Sequence, residues 1–140
     1  MDWRIKVLRG KWSKEKMKKV TEIISELIDR YGPGVLAIKK LHASRRSQNL
    51  AQLVIKIKEF SRRKGLKVYQ YFIKEIEKFF IEREKLNKRN LIDVIVKLYP
   101  MLHHDLKKEQ THKNPYYFRM FEAVALGAAC FRKAHEAMVA

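Results

Sequence analysis

Residues 13–34 read SKEKMKKVTEIISELIDRYGPG, and this stretch sets the class of the fold. Ser13 is a good helix N-cap, because its hydroxyl can accept from a free amide of the first turn. Behind it Met17, Val20, Ile23, Ile24, Leu27, Ile28 and Tyr31 recur at spacings of three and four, the period of an amphipathic helix. Gly32 supplies a left-handed stop and Pro33 forbids continuation. Outward from this helix the same period predicts others. One runs from about Val35 to Lys64, with Leu50, Leu53, Val54, Ile57 and Phe60 on one stripe and Gly65 as its stop. Between Ser44 and Asn49 no residue is apolar, so the helix either breaks there or is solvated on every side. A third helix covers roughly 67–87 and carries Tyr69, Phe72, Ile73, Ile76, Phe79 and Phe80. Asn90 can cap a fourth, with Leu91, Ile92, Ile95 and Leu98, which Pro100 must end or kink.

Asn114-Pro115 opens the last helix, a cap followed by proline where its missing amide costs nothing. From Phe118 to Phe131 only Arg119 and Glu122 are charged, and Ala123, Ala125, Gly127, Ala128 and Ala129 make this helix thin. The simpler reading is a central core helix. The sharper one is that part of its surface meets another copy of the chain.

The chain has 140 residues, 46% apolar and 34% charged, room for one domain and a modest core. Its 32 Lys and Arg against 15 Asp and Glu leave a formal net charge of +17. So much apolar content excludes a disordered basic tail, and so much positive charge makes a polyanion the expected partner. Cys130 is the single cysteine, so no internal disulfide forms and no oxidising compartment is implied. No apolar run reaches the ~18 residues of a membrane span. Met1-Asp2-Trp3-Arg4 lacks the apolar core of a signal peptide. These readings predict an all-α, cytoplasmic protein: a basic arm over residues 1–12, then a single domain over 13–140 forming a bundle of four to five helices. No repeat, low-complexity segment or interdomain linker interrupts it.

The positive charge is uneven. Residues 1–70 hold 19 Lys and Arg and 6 Asp and Glu, whereas residues 71–140 hold 13 and 9. Residues 1–19 carry 8 basic and 2 acidic groups, and residues 36–68 carry 10 basic groups with Glu59 as the single acid. A solvated helix face mixes both signs, as residues 74–89 do, because opposite charges four apart support a helix. Ten cations with one acid repel one another unless an external anion compensates, which points to nucleic acid. There is no zinc-finger cysteine pattern, aromatic RNA-binding strand motif or Gly-rich phosphate loop. Cations spread over an arm and a long helix suit contacts to the phosphate backbone, without reading of sequence. The expected contacts are Arg4, Lys6, Arg9, Lys11, Lys14 and Lys18 on the arm and first helix. Lys39, Lys40, Arg45, Arg46, Lys56, Arg62, Arg63 and Lys64 follow on the second. Expected contacts between copies are Trp3 and Trp12 on the arm and Phe121, Ala125, Gly127 and Ala128 on the last helix.

Catalysis is not indicated, and no cofactor, metal or small-molecule substrate is expected. His103 and His104 are adjacent, so on a helix they point about 100° apart and do not share an ion easily with Asp105 or His112. Glu75, Glu77, Glu82 and Glu84 alternate with Lys74, Lys78, Arg83 and Lys85 like a surface ion-pair lattice, not a pair of catalytic acids. Cys130 lies among Ala and Phe, as an inert buried thiol would.

Gly10-Lys11-Trp12-Ser13, Tyr31-Gly32-Pro33-Gly34 and Asn114-Pro115 before a small-residue helix resemble pieces of the α-helical major coat proteins of filamentous and rod-shaped archaeal viruses. The pieces cover about a fifth of the chain. The resemblance implies a virion subunit, assembled in the host cytoplasm, that wraps double-stranded DNA in A-form inside a helical tube. Its partners would be copies of itself, with or without a related second coat protein. The chain departs from rod-shaped members in being richer in Lys and Glu and poorer in Gly, Ala and Asn. A second resemblance lies in Phe118-Arg119-Met120-Phe121-Glu122-Ala123-Val124, similar to the C-terminal helix of small subunits in type III CRISPR effector complexes. That family implies contact with a guide–target RNA duplex, although its Tyr-Ala-containing middle motif has no counterpart here. A third class, an adaptor or membrane-surface protein, would need an apolar face left free, whereas the apolar stripes here are needed for a core.

Overall fold

A computed structural model describes the backbone of residues 8, 10–42, 44, 47–112 and 115–139; the side chains of 108–112, 115–117 and 134–139 fall outside that description. Helix α1 spans Lys14–Tyr31 and ends as its sequence dictates. The Ser13 hydroxyl accepts from the Lys16 N–H at 3.0 Å. At the other end Gly32, at φ +56°, donates its N–H to the Ile28 carbonyl at 2.9 Å.

The expected helix over 35–64 is two elements. Val35–Lys40 is strand β1, and only Gln48–Arg63 is helical, as α2. Lys67–Phe72 is likewise a strand, β2, and not the start of a helix. Its Tyr69, Phe72, Ile73 and Ile76 match a helical period only because the count runs across a strand–helix junction. The run Lys-Val-Tyr-Gln-Tyr-Phe is itself rich in residues that suit a pleated, half-buried surface. The protein is therefore mostly helical with one two-stranded sheet, not all-α. The Lys67 N–H donates to the carbonyl of Gly34 at 3.0 Å, so both strands begin side by side and run in the same direction. Parallel strands need a long crossover, and α2 is that crossover.

Gly65 ends α2 by a full Schellman arrangement. The Leu66 N–H donates to the Ser61 carbonyl and the Gly65 N–H to the Arg62 carbonyl, both at 3.0 Å, with Gly65 at φ +87° and Leu66 buried.

After β2 the chain is helical: α3 (Ile73–Phe80), α4 (Lys88–Leu98), a 3₁₀ turn at Pro100–Leu102, α5 (His103–His112) and α6 (Pro115–Val139). The α4 cap is Asn87, whose side chain accepts from the Asn90 N–H at 2.8 Å, so Asn90 is inside the helix it was expected to cap. Pro100 stops α4, as anticipated, and opens the 3₁₀ turn. Residues 1–7 and 9 of the arm, and Asn114, lie outside the described residues.

The chain divides into two compact units. The described parts of the first fall within Lys6–Leu36 and Leu41–Tyr69, those of the second within Ala37–Lys40 and from Gln70 onward. In the first, α1 packs on α2, and the buried apolar side chains among the described residues are Ile28, Leu53 and Leu66. In the second, α6 packs against α3, α4 and α5 around Ile76, Leu91, Ile92, Ile95, Leu102 and Phe121.

Two carboxylates lie inside the second unit. Glu122 on α6 is buried and pairs with Lys39 of β1 at 2.5 Å and with Lys88 of α4 at 3.5 Å. Glu77, expected on a surface lattice, is 1% exposed and pairs with Lys74 at 2.9 Å. Lys74 also donates to the Leu86 carbonyl at 3.0 Å. Removing one partner of a buried pair hurts most when the partner left behind cannot reach water. Lys39→Met with Lys88→Met strands Glu122 and should cost about 3–5 kcal/mol. Glu122→Leu releases two lysines that reach solvent and should cost far less. Urea unfolding of the two variants checks that ranking.

Candidate nucleic-acid interface

The cations are concentrated in the first unit. Within 6–36 and 41–69 there are 16 Lys and Arg against 5 Asp and Glu, whereas the remaining residues hold 16 against 10. The two helices of this unit differ. On α1, exposed Lys14, Lys18, Lys19 and Arg30 are interleaved with exposed Glu15, Glu22, Glu26 and Asp29. On α2 the exposed positions are Gln48, Asn49, Gln52, Ile55, Lys56, Glu59, Arg62 and Arg63, with one acid among them. The α1 face is an ordinary mixed-sign surface, and the α2 face is not.

The expected contact residues separate into three groups. Lys11, Lys14, Lys18, Lys56, Arg62 and Arg63 are exposed on the first unit. Lys40 is exposed on β1, its ammonium 5.0 Å from the centre of the Phe72 ring. Lys39 and Lys64 are engaged within the protein. Lys39 holds Glu122, and Lys64 pairs with Asp29 at 2.6 Å, donates to the Ser25 hydroxyl at 2.9 Å and lies over the Phe60 ring. Lys64 thereby fastens the C-terminal end of α2 to that of α1, and both lysines are already paired with carboxylates of the chain. Arg4, Lys6, Arg9, Arg45 and Arg46 lie outside the described residues.

The expected subunit contacts fare differently. Phe121, Ala125 and Ala128 are buried in the second unit's own core, so they are not a surface for another copy. Gly127 is exposed, and a Cβ there would meet nothing within 4 Å, so the chain itself does not require a glycine at this position. Trp12 is half-buried, and Trp3 lies outside the described residues. In the Phe118–Val124 run, Phe121 and Glu122 face inward.

Among the described residues no group of three or more His, Cys, Asp or Glu side chains could hold a metal ion. His103 and His104 are exposed at the start of α5. Cys130 is a buried free thiol. No described helix is long and apolar enough to cross a membrane.

The sequence left open whether the helix breaks between Ser44 and Asn49, and without a placed restart Gln48, Asn49 and Gln52 were passed over. The signal that finds them is Ser47, an N-cap whose hydroxyl accepts from the Leu50 N–H at 3.1 Å and which restarts the helix there. Compared with known proteins, the chain matches no family model and no curated sequence.

The Lys64–Asp29 bridge is exposed on its acidic side, Asp29 being 69% accessible, so it is worth little as a stabiliser. Asp29→Asn should lower stability by less than about 1 kcal/mol in urea unfolding.

Proposed function

We propose that the protein is a structural, non-enzymatic nucleic-acid-packaging subunit, whose first unit engages the phosphates of a duplex. The observation that carries this is the α2 face, where Lys56, Arg62 and Arg63 are exposed with Glu59 as their single acidic companion. Left without an anion, such a face repels itself; against a duplex it displaces condensed counterions, and that release supplies sequence-independent affinity.

Packaging also needs copies that meet. A stripe on the outer side of α6 supports this: Ala123, Gly127 and Phe131 follow one another at four-residue spacing, all exposed, with Phe131 at 76%. Large exposed aromatic groups are enriched where proteins meet. A coat subunit of an archaeal virion, holding double-stranded DNA, is the fuller form of this proposal. It rests on the resemblance of the short motifs and not on the fold, since an all-helical bundle is what that family implies and β1 and β2 depart from it.

Duplex binding measured across salt should give log affinity falling linearly with log salt, with a slope of about −5 to −9 for on the order of 6–10 phosphate contacts. A flat response overturns phosphate recognition. Replacing Lys56, Arg62 and Arg63 by Glu should weaken binding at low salt by at least a hundredfold and make the slope shallower, with helical content unchanged by circular dichroism. Phe131→Glu should leave duplex affinity of the isolated subunit intact. It should also shorten or abolish filaments seen by electron microscopy on long DNA; filaments of unchanged length would remove α6 from the assembly contact.

A further inference from the structure

The break that separates β1 from α2 changes what the exposed face of α2 offers. A basic stretch within one long helix suits phosphates alone. The helix that begins at Gln48 instead presents amides first and cations last. At 100° per residue Gln48, Gln52, Lys56, Glu59 and Arg63 fall within about 80° of one another, flanked by Asn49 on one side and Ile55 on the other; Glu59, the one acid of this face, stands a turn from Lys56 and from Arg63. All seven are exposed, and Ile55 is 56% accessible, an isoleucine left in water at the middle of a helix whose other apolar residues are buried or half-buried. The first turn carries no acidic side chain to repel a phosphate.

We infer that α2 is a groove-reading helix, its Gln48, Asn49 and Gln52 directed at base edges in the major groove of B-form DNA. This rests on the duplex binding proposed above and not on its coat-subunit form, whose A-form DNA has a major groove too narrow for a helix, and it adds sequence preference to that binding. Asn and Gln donate to and accept from adenine N7 and N6 as a pair, an apolar side chain such as Ile55 suits a thymine methyl, and the major groove is about 12 Å wide, enough to admit a helix. The stretch from Gln48 to Lys56 rises about 12 Å, the length of roughly four base steps. Arg62 and Arg63 lie at the far end, where a helix leaving the groove meets the backbone. A solvated surface explains the face less well. The neighbouring helix α1 shows what this chain places in water, lysines alternating with Glu15, Glu22 and Glu26, and it exposes no side chain amide.

The test is a binding selection from a duplex DNA pool with a randomised centre, using the full chain and a Gln48→Ala, Asn49→Ala, Gln52→Ala variant. The full chain should enrich a motif of about four base pairs containing adenine and bind it at least tenfold tighter than a shuffled duplex, about tenfold per amide contact. The variant, with helical content and melting temperature near those of the parent, should bind both duplexes equally and within about threefold of the parent on the shuffled one. Ile55→Ala should weaken only the selected duplex. If the full chain enriches no motif while its salt slope persists, groove reading is overturned and backbone binding stands. A motif that survives in the amide variant, or one bound as well on an RNA duplex, whose major groove excludes a helix, overturns it too. Absence of any duplex binding overturns both.

Discussion

A single carboxylate sets the arrangement of the second unit. Glu122 stands on the inner side of α6, among residues that are nearly all apolar, and is buried. A charge there is tolerable only with partners, and the partners come from elements distant in sequence: Lys39 from β1 and Lys88 from the first turn of α4. An apolar contact tolerates sliding, whereas a buried ion pair does not, because a shift of one residue would leave the carboxylate alone. The pair therefore fixes the register of β1 and α4 against α6, while Phe121, Ala125, Leu126 and Ala129 supply the buried apolar surface around it. Buried pairs contribute little net stability, because desolvation offsets their attraction. Lys39 is committed to that role, so a residue that looks like part of a basic cluster in sequence is a structural group in the fold.

Lys64 repeats the pattern in the first unit. It sits in the most basic stretch of the chain, yet its ammonium is held by Asp29 and Ser25 of α1 and lies over Phe60. Net charge locates a basic region; it does not say which cations within it are available. Exposure and pairing make that division, and they leave Lys56, Arg62 and Arg63 outward on α2.

Four helix ends were legible in the side chain or glycine that enforces them, whereas the Ser47 and Asn87 caps were missed. Ser13, Gly32, Gly65 and Pro100 act where their chemistry places them, because capping depends on neighbours within a turn. The strands were not legible. Val35-Leu36-Ala37-Ile38 carries no strict alternation, since its half-buried positions run consecutively from Leu36 to Lys39. Its strand state comes from pairing with Lys67–Phe72, about thirty residues away, and a reading by local period has no access to such a partner. Glu77 was missed for a related reason. Its alternation with lysines looks like a solvated lattice, but α3 turns it inward beside Ile76. The candidate interface was legible as a charge excess and illegible as a face, because the face exists only once α2 begins at Gln48 behind its Ser47 cap.

The two units divide the physical work between core and surface. The second concentrates fully buried apolar residues and keeps its charge closer to balance, so it folds on burial. Among the described residues the first has three buried apolar side chains, leaves Leu27, Tyr31, Val35, Ile55 and Tyr69 more than a third exposed, and carries most of the excess charge. Like charges on a small core lower its stability, and an anion that binds only the folded form raises it by mass action. A protein meant to act free in solution would gain from spreading those cations or pairing them. Concentrating them on the unit least able to absorb the repulsion makes sense where a polyanion is present whenever the unit works. Under the proposed function a duplex would supply both the compensating charge and part of the stability.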